Sequence, residues 1–146
     1  MPSEEPLNDL LNALLPHAQE LLRKYGEFFP FGAAIDDSGD VRMVAAGTGD
    51  EHPASQEVID ILLNGMKAEA GAGSIAAAGI CLDSTFNLEG SPMKDAVCCR
   101  LESHGGESLQ VYLPYVAKKH FRSSKKTFEF GELVAMGKVP EIWPVS

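Results

Sequence analysis

The sequence predicts an α+β fold: an antiparallel sheet of five or six strands with two main helices, ordered α-β-β-α-β-β-β and closing on a further short strand. Three observations predict it. Residues 7–25 repeat apolar side chains at helical spacing, and residues 55–70 do so again. The rest is strand-length apolar or alternating runs separated by turn formers. With 146 residues, 45% hydrophobic and 23% charged, the chain is one domain's worth with globular composition. That usage excludes a disordered tail, a collagen-like repeat and a coiled-coil rod.

The first helix rests on Leu7, Leu10, Leu11, Leu14, Leu15, Ala18, Leu21, Leu22 and Tyr25, a stripe kept up for about five turns. Ser3 is placed to cap its start, Pro6 suits a first turn where no N–H is needed, and Gly26 marks its stop. Pro16 removes a hydrogen bond and crowds the preceding turn, which predicts a kink or a short break near Leu15.

Two strands follow, 28–35 and 41–46, joined by the turn formers Asp36-Asp37-Ser38-Gly39-Asp40. Pro30 belongs at a strand start or an edge. A polar loop, 47–53, leads to the second helix, whose Val58, Ile59, Leu62, Leu63 and Met66 share one side and which Gly71-Ala72-Gly73 ends. Residues 75–83 are apolar on both faces, as a central strand should be. After a loop at 84–94, strand 95–102 turns Val97, Cys99 and Leu101 to one face and Cys98, Arg100 and Glu102 to the other. Ser103-His104-Gly105-Gly106-Glu107 reads as a hairpin loop into a strand carrying Leu109, Val111 and Leu113. A basic loop at 118–126, a short strand at 127–130 and a mixed C-terminal stretch complete the chain, with Leu133, Val134, Met136 and Ile142 available to pack onto the body.

Charge is uneven. Residues 1–117 hold 18 acids against 6 bases, and residues 118–146 hold 6 bases against 3 acids, within an overall net charge of −9. An acidic field repels phosphate backbones and anionic lipid, so neither nucleic acid nor membrane is an expected partner. The basic segment has one aromatic, Phe121, and reads as a solvated loop or one paired with the protein's own acids. The first residues are acidic where a secretory signal would be basic, and no apolar run reaches the roughly 20 residues of a membrane span. Cys81, Cys98 and Cys99 form no metal-ligand pattern, and Cys98 and Cys99 point to opposite faces. Buried free thiols in a reducing, cytoplasmic setting are expected.

Few residues carry recognisable chemistry. No phosphate loop, Rossmann glycine triplet, nucleophile elbow, zincin motif or calcium loop occurs. His17, His52, His104 and His120 are scattered, and a cysteine on an apolar strand face is a poor nucleophile. The expectation is therefore no catalytic residue, no metal and no cofactor. If strands 75–83 and 95–102 pair, Asp83 and Asp95 meet at one end of the sheet, able to bind a cation or a basic side chain, or to act as an acid/base pair. Glu102 falls at the other end beside His104, where a lone carboxylate is ordinarily solvated. Phe28, Phe29 and Phe31 flank Pro30, and Tyr112 and Tyr115 flank Pro114; any such ring left exposed is a rigid anchor for a partner.

The element order resembles the profilin-like and roadblock-type folds, in order alone. The leading helix, the run Gly26-Glu27-Phe28-Phe29-Pro30-Phe31-Gly32-Ala33, then Asp95-Ala96-Val97, Leu101-Glu102-Ser103-His104-Gly105-Gly106, Pro114-Tyr115 and Phe130-Gly131-Glu132-Leu133 together resemble a family of small bacterial domains of unknown function. That resemblance implies no catalytic residues. In size and charge alone the chain is similar to immunity proteins that neutralise basic toxins.

The expected function is a non-enzymatic protein-binding module, immunity-type or regulatory, whose acidic surface docks a basic partner. Asp83, Asp95, Glu102, Phe31 and Tyr115 are its candidate partner-binding residues. The first alternative is a small metal-dependent or acid/base hydrolase using Asp83 and Asp95 beside His52 or His104. The second is a homodimer whose sheet edge or basic segment meets its twin.

Overall fold

Helix α1 (Glu5–Tyr25) buries one stripe, Leu7, Leu10, Leu14, Ala18 and Leu22, each no more than 1% exposed. The computed structural model describes residues 5–46, 55–85, 90, 92–105, 107–119 and 126–143. The capping position Ser3, the loop 47–53 with His52, and His120 and Phe121 of the basic segment lie outside these residues. Pro16 does not break α1, which runs unbroken through it. The residue is exposed, as is Asn12, whose carbonyl loses its usual donor, so that carbonyl is left on the solvent side while the buried stripe keeps its turn. Gly26 ends the helix in the left-handed region at φ 78°, donating its N–H to the Leu22 carbonyl at 2.8 Å.

The strands are β1 (Phe31–Asp36), β2 (Val41–Val44), β3 (Ile75–Thr85), β4 (Asp95–Ser103), β5 (Ser108–Lys119), β6 (Lys126–Phe130) and β7 (Val134–Gly137), with α2 (Ser55–Gly71) between β2 and β3. They form one antiparallel sheet in the order β2-β1-β3-β4-β5-β6, with β7 paired to β5. The fold is α+β, with seven strands among the described residues. The additional one, β7, comes from the mixed C-terminal stretch, where Leu133 and Met136 are exposed and Ile142 is buried. β5 is longer than its apolar alternation indicates because it continues through Pro114. Its outer edge is shared, β7 pairing with residues 109–112 and β6 with residues 115–119. The Pro114 carbonyl accepts the Gly131 N–H at 2.8 Å, so the missing proline N–H faces the changeover between the two edge strands.

The helices take opposite faces. α1 lies against β1, β3 and β4, and α2 covers β1 and β3 from the other side. Each comes close over a glycine. A Cβ on Gly79 would stand 2.9 Å from Leu14 Cδ1 of α1, and one on Gly32 would stand 2.6 Å from Met66 Cε of α2. β3 is central and apolar on both faces because it has a helix on each. No helix among the described residues is long and apolar enough to cross a membrane.

Candidate functional site at the acidic end of the sheet

Register decides which carboxylates meet. Asp83 pairs with Val97 and Thr85 with Asp95 across β3–β4, and Asp95 pairs with Tyr115 across β4–β5. Partners in register share a face, so Asp83, Asp95 and Tyr115 all project on the α1 side at one end of the sheet. Tyr115 reaches diagonally over β4 and donates its hydroxyl to Asp83 Oδ1 at 2.6 Å. The link from α1 into β1 closes this end. Gly26 turns the chain, and Glu27, Phe28 and Phe29 then join Asp83, Thr85 and Asp95 around an open concavity of about 350 Å³.

The electrostatics of this end are one-sided. Loss of water around Asp83 raises its pKa above the ordinary carboxylate value; Asp95 and Glu27 add to the rise, and the Tyr115 hydroxyl opposes it. Tyr115 is pushed well above the usual phenol range, first by burial and then by Asp83, so it stays protonated and serves as donor. The ion pairs among the described residues are Arg42–Glu69, Lys118–Glu129 and Lys138 with Glu102 and Glu141. None neutralises Asp83, Asp95 or Glu27.

Glu102 corrects the expectation of a solvated carboxylate. It is 3% exposed. Its oxygens accept the backbone N–H groups of Glu141 and Ile142 at 2.8–2.9 Å and of Trp143 at 3.3 Å, and Lys138 Nζ lies 3.0 Å away. These donors come from the C-terminal segment, which crosses the sheet after β7 and drops Ile142 into the core beside α2. Glu102 is spent on holding that segment, which withdraws it from a partner surface. His104 stacks on Trp143, ring centroids 6.0 Å apart, at the sheet end opposite Asp83 and Asp95. It therefore does not stand beside them; His52, the other histidine of the hydrolase alternative, lies outside the described residues.

The aromatic candidates divide. Phe31 is buried, edge-on to His17 at 4.9 Å and to Phe28 at 5.8 Å, and belongs to the core under α1. The Tyr115 ring is buried too, between Phe128 and Phe130, so only its hydroxyl touches the site. Of the two rings that line the concavity, Phe28 is buried and Phe29 is 42% exposed. Glu27 was not singled out in sequence, and Phe29 stood only among the rings flanking Pro30, because nothing local shows that β1 pairs with β3 and brings the end of α1 beside Asp83. The sole local hint is the helix stop at Gly26.

No protein-family model, curated protein or solved structure matches the chain.

Proposed function

We propose that the protein is a non-enzymatic binding module, regulatory or immunity-type, whose acidic end receives a basic side chain of a protein partner. One observation carries this reading: Asp83, Asp95 and Glu27 face a common concavity beside the exposed Phe29, with no cation of the described residues paired to them. A lysine or arginine entering it would gain charge-assisted bonds, and Phe29 would add apolar contact at the rim. Entry would also offset the repulsion from Asp95 and Glu27 that adds to the effect of burial on Asp83. The three cysteines are all free and buried, which supports a reducing, cytoplasmic setting. The test is a tagged pull-down from the native cell's extract, eluted in rising salt and compared with the double variant Asp83→Asn, Asp95→Asn. One stoichiometric basic protein, released by salt and missing from the variant, is expected. Equal capture by both chains, or no basic partner at any salt step, would overturn the reading.

The same end supports acid/base hydrolysis as a second reading. A carboxyl with raised pKa beside a second carboxylate in a concavity is the arrangement a proton donor needs. It requires activity on a panel of ester, amide and phosphoester substrates that Asp83→Asn abolishes.

A further inference from the structure

We propose that Cys81 and Cys99 form a latent cross-strand disulfide, a modification site at which a low-molecular-weight disulfide oxidises the chain and ties β3 to β4 directly behind Asp83. The two cysteines are register partners in the β3–β4 ladder. His104, the residue after β4, donates its N–H to the Ala76 carbonyl at 2.9 Å, which marks that step of the ladder as hydrogen-bonded. Antiparallel steps alternate, and Cys81–Cys99 lies an odd number of steps away, so it is a non-hydrogen-bonded pair. Such pairs hold their Cα atoms about 4.5 Å apart, inside the roughly 4.4–6.8 Å that a disulfide bridges. Both side chains point to the α1 face, and the Cys99 thiol donates to the Cys81 sulfur across 3.8 Å. Formation of the bond requires the sulfurs to approach while the backbone pairing stays in place.

Cys98 is excluded by the same geometry. It faces the other side of the sheet, where Gln110 Nε2 lies 3.5 Å from its sulfur. The fold thus selects one of the three pairings that three cysteines allow. Burial pushes the Cys81 thiol well up, so exchange proceeds when the strands open or while the chain refolds, and a reducing compartment keeps the pair as dithiol. The chemistry balances in two exchanges. One cysteine thiolate attacks the small disulfide, giving a mixed disulfide and releasing one small thiol. The second cysteine thiolate then attacks the protein sulfur of that mixed disulfide and releases the other small thiol. The cysteine pair is oxidised by two electrons and the small disulfide is reduced by two. The product restrains the two strands that present Asp83 and Asp95.

The test is refolding of the full chain and of Cys98→Ser from urea in a reduced/oxidised glutathione mixture, followed by acid quench, alkylation and tryptic mapping. Cleavage after Lys67, Lys94 and Arg100 places Cys81 and Cys99 in separate peptides, 68–94 and 95–100. In Cys98→Ser these two peptides are expected linked through Cys81 and Cys99. The oxidised chain is expected to gain roughly 5–10 °C in Tm over its reduced form, as closing a loop of this length implies. The bond should not appear when the same chain is oxidised in denaturant at equal glutathione ratio to the same extent as under folding conditions. Peptides of Cys98→Ser recovered unlinked and alkylated, linked chains in place of an internal bridge, or a wild-type bridge through Cys98 would each overturn the proposal.

Discussion

The two ends of the central hairpin β3–β4 each carry acidic side chains, and the protein treats them in opposite ways. At one end Glu102 is buried, and the chain supplies its donors: three backbone N–H groups and the Lys138 ammonium. At the other, Asp83 and Asp95 are exposed, Asp83 takes one hydroxyl from Tyr115, and no described cation is paired with them. A buried carboxylate survives only where its lone pairs are satisfied internally, so Glu102 is an architectural group. A carboxylate left facing solvent beside others of its sign raises the energy of the free protein slightly and keeps its capacity for an incoming cation. The difference between the ends separates what holds the fold from what is open to a partner.

The sharpest way to break this contrast is at Glu102. Glu102→Ala takes the buried carboxylate from Lys138, which keeps only the half-exposed Glu141 as counter-charge, and leaves three N–H groups without their acceptor; it should cost about 3–5 kcal/mol in urea denaturation and free the C-terminal segment to protease. If its stability falls no further than that of an exposed substitution, the end is not architectural. Gly79→Ala comes next. Its Cβ would meet Leu101 Cδ2 at 2.8 Å and Leu14 Cδ1 at 2.9 Å, so overpacking beneath α1 should cost about 1–3 kcal/mol by the same measurement.

At the open end the expected effects shrink. Tyr115→Phe keeps the ring between Phe128 and Phe130 and removes the bond to Asp83, for about 0.5–1.5 kcal/mol. A loss as large as that at Glu102 would erase the distinction between the ends. The smallest effect has the opposite sign. Folding raises the Asp83 pKa, so the protonated form favours the fold at low pH, and that contribution fades as pH rises through the raised value. Asp83→Asn keeps an acceptor for Tyr115 without the charge. Its Tm should therefore lie slightly above wild type at pH 7 and match it below about pH 4, where the unfolded aspartate is protonated as well. A Tm below wild type at pH 7 would show that the carboxylate charge stabilises this end.

Much of the architecture was legible because it depends on local period and punctuation. The stripe from Leu7 to Leu22, the helix stop at Gly26, the alternation of Val97, Cys99 and Leu101 and the turns at 36–40 and 103–107 are properties of adjacent residues. Pro16 left a kink and a break both open, because the cost of a proline depends on whether the freed carbonyl is open to solvent, and α1 is unbroken with that carbonyl on its exposed side. β7 escaped notice because a four-residue edge strand that exposes its own Met136, with exposed Leu133 just before it, has no periodic signature.

The site divides along the same line. Composition and spacing by themselves determined an acidic body, free cysteines on opposite faces, and Asp83 and Asp95 at one end of a hairpin. The tertiary structure alone decided that Glu102 is buried and Asp83 open, that Phe31 and Tyr115 are core while Phe29 reaches the surface, and that Cys81 faces Cys99. The reason is physical: burial and register are set by which distant segments pack together. The C-terminal segment that satisfies Glu102 lies some forty residues beyond it, and no local pattern records that meeting.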